Sequence, residues 1–146
     1  MKRSILIFAL VAMLAPVACI AQDANRMQYL QLYAPGTSLA ATSAAVDVSA
    51  YKGNATFAVQ SDPSTVACTN TATLTHCATS GGTYATATNL AGTACVVTQT
   101  GPATNDIQTV AIDLARLHKY VKVVVAQSGQ QTNAMSAFLV APFKSE

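Results

Sequence analysis

The side chains that could do chemistry are few in this chain, and they are widely spaced. It contains four cysteines and two histidines, and only 10% of its residues are charged. Catalysis needs an acid, base or nucleophile beside a group that tunes its pKa. His118 is followed by the cation Lys119, and the neighbours His76 and Cys77 would point to opposite faces of a strand. No hydrolase, metalloprotease or nucleotide-binding motif is present, so we predict a protein that is not an enzyme and uses no cofactor.

Cys68, Cys77 and Cys95 are the cysteines beyond the first 21 residues. An odd number in an oxidising compartment predicts one disulfide and a spare thiol, or a bond between chains. If Thr71–Ala78 is a strand that continues back to Cys68, then Cys68 lies roughly 30 Å from Cys77, beyond disulfide reach. The pair Cys77–Cys95 is therefore slightly preferred, although a chain reversal just after Cys68 would allow the other pair. A zinc site that adds the neighbouring histidine lacks CxxC spacing, and we predict no metal.

The first 21 residues have the layout of a secretory signal peptide. Lys2 and Arg3 form a basic start, and the apolar run Ile5–Val17 is shorter than the about 20 residues that a membrane-spanning helix needs. We predict a hydrophobic signal helix that is cleaved near Ala21, which would export the protein to the periplasm or the extracellular space. The alternatives are lipidation of Cys19 and a retained N-terminal anchoring helix. If the segment is cleaved, contact with a membrane is transient and confined to this segment.

The remainder of the chain, residues 22–146, carries balanced charge. Once Lys2 and Arg3 are set aside, six lysines and arginines face six acidic residues. A domain with balanced charge lacks the excess of lysine and arginine that attracts nucleic acid phosphates, and we predict that no nucleic acid is bound.

Alternating apolar residues predict that residues 22–146 form a single all-β domain. Val121, Val123 and Val125 are separated by polar or small residues, a pattern that places one face of a strand in a core. A short helical turn is expected near Asp113. Short strands at regular spacing favour an antiparallel β-sandwich of seven or eight strands, resembling a jelly roll. The predicted strands are Met27–Tyr33, Ala50–Gln60, Thr71–Ala78, Thr83–Leu90, Ala94–Thr100, Ile107–Leu114, Lys119–Ala126 and Asn133–Ala141.

Two aspartates and two tyrosines lie at the predicted strand ends. Asp47 and Asp113 are expected to cap turns by accepting backbone N–H bonds. Calcium binding is the weaker interpretation, because no dense acidic loop surrounds them. Tyr51 and Tyr120 are expected to pack their rings and to hydrogen-bond their hydroxyls, the common role of a partly buried tyrosine.

Two motifs together resemble a known class of proteins. The first is Val-Asp-Val-Ser-Ala-Tyr-Lys-Gly at residues 46–53, and the second is Asp-Leu-Ala-Arg-Leu-His-Lys-Tyr-Val-Lys-Val at residues 113–123. With the sequence around them, residues 39–140, they resemble small β-sandwich structural proteins of tailed bacteriophages and prophages. The resemblance implies a non-catalytic capsid-surface or decoration role on the virion, with partners that are copies of itself or other structural proteins. We expect contacts through strand edges and Thr/Ala-rich faces.

A secreted binding module for carbohydrate, or for adhesion to a surface, is the alternative hypothesis. A glycan would stack on Tyr51, Tyr84 or Tyr120 and bond to neighbouring polar side chains. Exposed coplanar aromatic rings would favour this hypothesis, and a flat contact surface would favour assembly.

Overall fold

A computed structural model describes residues 27–36, 40–63, 67–101, 106–129 and 134–143 of the chain. The predicted signal segment, residues 1–21, lies outside them. None of the described residues belongs to a helix long and apolar enough to cross a membrane. A short 3₁₀ helix covers Leu114–Arg116. The strands are β1 (Met27–Gly36), β2 (Ala40–Thr42), β3 (Val46–Asp47), β4 (Asn54–Ser61), β5 (Thr69–Cys77), β6 (Ala85–Thr86), β7 (Val96–Thr100), β8 (Asp106–Asp113), β9 (Tyr120–Ser128) and β10 (Met135–Pro142).

The strands form two antiparallel sheets, which confirms the predicted all-β, sandwich-like fold. The first sheet has the order β1-β10-β4-β8. In the second sheet β9 and β5 are central, β2 and β3 both pair with β9, and β6 and β7 both pair with β5. Six of the nine connections between successive described strands therefore carry the chain from one sheet to the other.

The core lies between the two sheets and is built by alternation along the strands. Phe57 on β4, Leu74 on β5 and Ile112 on β8 are all fully buried. Val121 and Val123 on β9 are equally buried, as the alternation predicted. A strand directs successive side chains to opposite faces, so each buried residue fixes its neighbours on the outer side. The inner faces of both sheets are thereby aliphatic over most of their length.

One end of the interior is polar. Asn70 on β5 pairs in register with Gln99 on β7 and with Gln127 on β9, so three amide side chains lie in one row. Asn70 Oδ1 is buried and accepts no hydrogen bond from the described residues, and Gln99 Nε2 donates to Val59 O at 3.5 Å. Buried polar atoms are ordinarily satisfied by protein or ordered water. This end is therefore suited to holding internal water.

Candidate functional site

The two motifs, which are far apart in sequence, meet at one corner of the sandwich. Val48 N donates to Lys119 O at 2.9 Å, and Leu114 N donates to Gly53 O at 3.0 Å. In addition, β3 pairs with β9 and β4 pairs with β8. The first motif therefore runs from β3 in the second sheet to the start of β4 in the first sheet, and the second motif runs from the end of β8 to the start of β9. We call residues 46–53 and 113–123 the motif corner.

Asp47 and Asp113 each accept a backbone hydrogen bond at the motif corner. Asp47 Oδ1 accepts from Ser49 N at 2.8 Å, and Asp113 Oδ1 accepts from Ala115 N at 2.9 Å at the start of the 3₁₀ helix. The hydrogen bonds from Ser49, ahead of the nearby Lys119 charge, hold the pKa of Asp47 below its ordinary value. Both carboxylates thus organise turns. Among the described residues, no three His, Cys, Asp or Glu side chains lie close enough to hold a metal ion.

The tyrosines considered for sugar stacking are already in contact with protein groups. Tyr51 donates through its hydroxyl to Gln28 Oε1 at 3.0 Å, and its ring meets Phe143 edge-on with centroids 5.4 Å apart. Tyr84 has the Lys122 ammonium 4.3 Å from its ring centroid. That cation occupies one of the two ring faces on which a sugar could stack.

Tyr120 lies at the start of β9, on the outer face of the second sheet. The Lys119 ammonium is 5.2 Å from its ring centroid, within the range of a cation–π contact. Lys119 Nζ also lies 3.4 Å from Asp47 Oδ2. Tyr120 therefore belongs to the motif corner through these neighbours.

No disulfide joins the three cysteines among the described residues, so the disulfide predicted between Cys77 and Cys95 is not formed. The reason is the alternation of β5. Cys95 is fully buried, and its backbone pairs with Leu74, whose side chain also points into the core. Cys77 is three residues further along β5, so it points to the outer face, away from Cys95. Cys68 is buried just before the opposite end of β5, out of reach of Cys77, as the strand argument predicted.

The three thiols differ in burial, so we expect them to differ in reactivity. We expect iodoacetamide to alkylate Cys77 readily in the native protein and to leave Cys95 unmodified, because burial raises the pKa of Cys95 to about 11. Cys68, which is 6% exposed, should also be protected. Peptide mass mapping before and after denaturation measures this. Equal alkylation of Cys77 and Cys95 in native protein would contradict the placement of the two side chains on opposite faces.

His76 and His118 form a contact that the sequence did not predict. The His76 ring stacks on that of His118, with centroids 4.7 Å apart, and His76 Nδ1 accepts a hydrogen bond from His118 N at 2.9 Å. A ring nitrogen that accepts a hydrogen bond carries no proton. Burial, and to a smaller extent the charge of His118, lowers the pKa of His76.

The His76 contact predicts a loss of stability in mild acid. Because its folded-state pKa is depressed, the neutral ring favours the fold above the unfolded pKa of about 6.5, and this contribution fades as the pH falls below it. We expect the free energy of unfolding, from urea titrations, to decrease over that window. His76→Asn keeps an acceptor without a titrating group and should flatten the decrease. His118→Asn should retain most of the decrease in stability, since burial is the larger cause of the lowered His76 pKa. An unchanged pH dependence in His76→Asn would contradict this account.

The outer side of the first sheet is almost uncharged, and eight of its fifteen described outward residues are apolar; we call it the apolar face. Tyr29 is 65% exposed, Ile107 57% and Met27 52%. The Tyr29 ring stacks on Phe138 of the neighbouring strand, with centroids 4.5 Å apart. Ala58 is paired directly with Phe138 and is only 3% exposed although it points outward. The described outward residues are Met27, Tyr29 and Gln31 on β1, Ser136, Phe138, Val140 and Pro142 on β10, Asn54, Thr56, Ala58 and Gln60 on β4, and Ile107, Thr109, Ala111 and Asp113 on β8.

The outer side of the second sheet differs in chemistry. Threonines of neighbouring strands lie side by side on it, for example Thr71 beside Thr98 and Thr69 beside Thr100. A charged residue, Lys122, follows at one end of the same face. Hydroxyl groups and ammonium groups are well hydrated, and removing that water costs free energy. Burying this surface against a partner is therefore less favourable than burying the apolar face.

No protein-family model and no curated protein sequence matches the chain. Among solved structures, the chain is similar to the SPBc2 prophage-derived protein YomS, with a TM-score of 0.48 and 13% sequence identity over 79% of this chain and 92% of that chain. At this identity YomS gives no role for any individual residue of the chain.

Proposed function

We propose that the protein is a non-enzymatic structural protein whose copies pack against one another, or against other proteins of an assembly, through the apolar face. The observation that carries the proposal is the composition of that face. Of its described outward residues only Asp113 is charged, and it lies at one end with Arg116 Nε 3.7 Å from its carboxylate. Apolar side chains grouped on an outer face mark a candidate site of interaction, and Met27, Tyr29, Phe138 and Val140 form such a group on the adjacent strands β1 and β10.

The strand order supports a jelly-roll assignment. When β2 is counted with β3, and β6 with β7, eight strands lie in two four-stranded sheets and most connections cross between them. Jelly rolls occur in viral capsid and lectin domains. The resemblance of the motif corner to tailed-phage structural proteins favours the first use, a capsid-surface or decoration role at the virion surface. Export through residues 1–21 remains part of the proposal.

A glycan-binding module is less well supported. Tyr51 and Tyr84 already use part of their ring surface on Phe143 and Lys122. The apolar face offers an aromatic pair, Tyr29 and Phe138, but the two rings stack on each other with centroids 4.5 Å apart and so already use part of their surface. Nucleic acid is also not proposed as a partner, because the charge of residues 22–146 is balanced.

The molar mass in solution tests the proposal. Light scattering on the purified protein over a series of concentrations is expected to give a mass that rises above that of the 15.1 kDa chain. Because the contact is apolar, the rise should persist when salt is added. A protein that remains monomeric at every concentration and binds a glycan would contradict the assembly function and favour the carbohydrate module.

A further inference from the structure

Strand β1 presents an unusual edge. It is a terminal strand of the first sheet, and its 10 residues pair with β10 on one side only, among the described residues. No residue of Met27–Gly36 is charged. Its pairing with β10 is regular over Met27–Gln31 and becomes irregular only beyond that stretch. An edge strand exposes a row of unpaired N–H and C=O groups that can pair with another strand.

The other edge strands carry features that protect such rows. At the opposite edge of the first sheet, β8 receives a hydrogen bond from Leu90 N to Ala111 O at 3.0 Å, and it ends with the charged residue Asp113. The edges of the second sheet are built from short strands, of which β7, with 5 residues, is the longest. Short length, charge and a covering loop are the usual protections against edge pairing. Over Met27–Gln31, β1 has none of them among the described residues.

We infer that β1 pairs antiparallel with β1 of a second copy across a two-fold axis. The inference rests on the proposed assembly function and names the partner and the geometry of one contact. A second copy supplies an identical uncharged strand, so that pairing brings no like charges together and the same groups serve on both sides. The regular stretch Met27–Gln31 is centred on Tyr29, which would place the two Tyr29 residues opposite each other.

The side chains beside this edge fit the same partner. Tyr29 and Met27 are the exposed large apolar residues of β1, and both point to the apolar face. In the paired state each would gain a cross-strand neighbour from the second copy, and aromatic cross-strand pairs stabilise sheets. The two first sheets would become one continuous sheet, and the apolar face would double in width. Because a two-fold contact closes on itself as a dimer, growth of a larger particle would need a second contact, which the apolar face could supply.

Hydrogen exchange measured at concentrations below and above association tests the edge contact. The edge-facing amides of Met27–Gln31 are expected to exchange at least about tenfold more slowly in the associated protein. Amides of the loop around Leu90, which covers β8, should be unchanged and serve as the internal control. Association with unchanged exchange of β1 would overturn the edge contact and leave the apolar face as the interface. Absence of association would overturn both.

A cysteine at the two-fold position provides a second readout. In the Cys77→Ser background, Tyr29→Cys is expected to form a disulfide-linked dimer on mild oxidation, since directly opposed strand residues lie within disulfide reach. Gln31→Cys, two residues away, would face Met27 of the second copy and should cross-link far less. Equal cross-linking of the two variants, or none from Tyr29→Cys in an associated sample, would overturn the proposed register.

Discussion

Replacing Phe57 with alanine is expected to lower the free energy of unfolding by about 3–5 kcal/mol. Phe57 is fully buried on β4, a central strand of the first sheet, and its side chain is the largest of those fully enclosed between the sheets. Its removal takes away apolar contact area and leaves a cavity that the rigid strands cannot close. Chemical denaturation followed by circular dichroism measures the loss.

Phe138→Ala is the matched control for this substitution. Phe138 is the same residue type on the neighbouring strand β10, but it lies on the outer side and is only partly buried. We expect its replacement to cost much less stability in the monomer than the replacement of Phe57. Equal losses for the two phenylalanines would mean that the inner and outer sides of the first sheet have been assigned incorrectly.

The second large effect concerns association. Ile107→Lys places an ammonium group in the apolar face, and burying that charge in a contact between copies should weaken association at least about tenfold, the equivalent of about 1.4 kcal/mol. Ile107 is 57% exposed, so the fold of the single chain should tolerate the longer polar side chain. Analytical ultracentrifugation gives the association constant, and circular dichroism confirms that the variant is folded.

Thr98→Lys serves as the control for added charge. Thr98 is exposed on the outer side of the second sheet, so the substitution changes net charge by the same amount without touching the apolar face. It should leave association nearly unchanged. If Thr98→Lys disrupted association and Ile107→Lys did not, the interface would lie on the threonine-rich side of the sandwich.

The alternation of apolar residues with polar or small ones was sufficient to predict the longer strands and most of their buried sides. The inward valines of β9 and the pattern around Phe57 were predicted because one side of each strand is apolar and the other polar or small. Strands β2 and β3 were missed, since three and two residues are too few to display a period. Strand β10 is apolar on both sides, with Leu139 inward and Phe138 outward, so its pattern did not indicate which side would be exposed.

Contacts between distant parts of the chain could not be predicted from local pattern. His76 and His118 are far apart in sequence and meet only because β5 pairs with β9. The disulfide prediction for Cys77 and Cys95 was wrong because it considered separation along the chain and not the sides of β5 on which the thiols lie. The apolar face itself depends on strand order, which brings Tyr29 beside Phe138.

Photo-cross-linking tests the central claim, that copies associate through the apolar face, most directly. Benzoylphenylalanine in place of Phe138 retains an aromatic ring on the face, and irradiation of the associated protein is expected to give a covalent dimer. The same group in place of Tyr84, on the second sheet, should give none. Dimers formed from position 84 and absent from position 138 would show that the copies meet elsewhere.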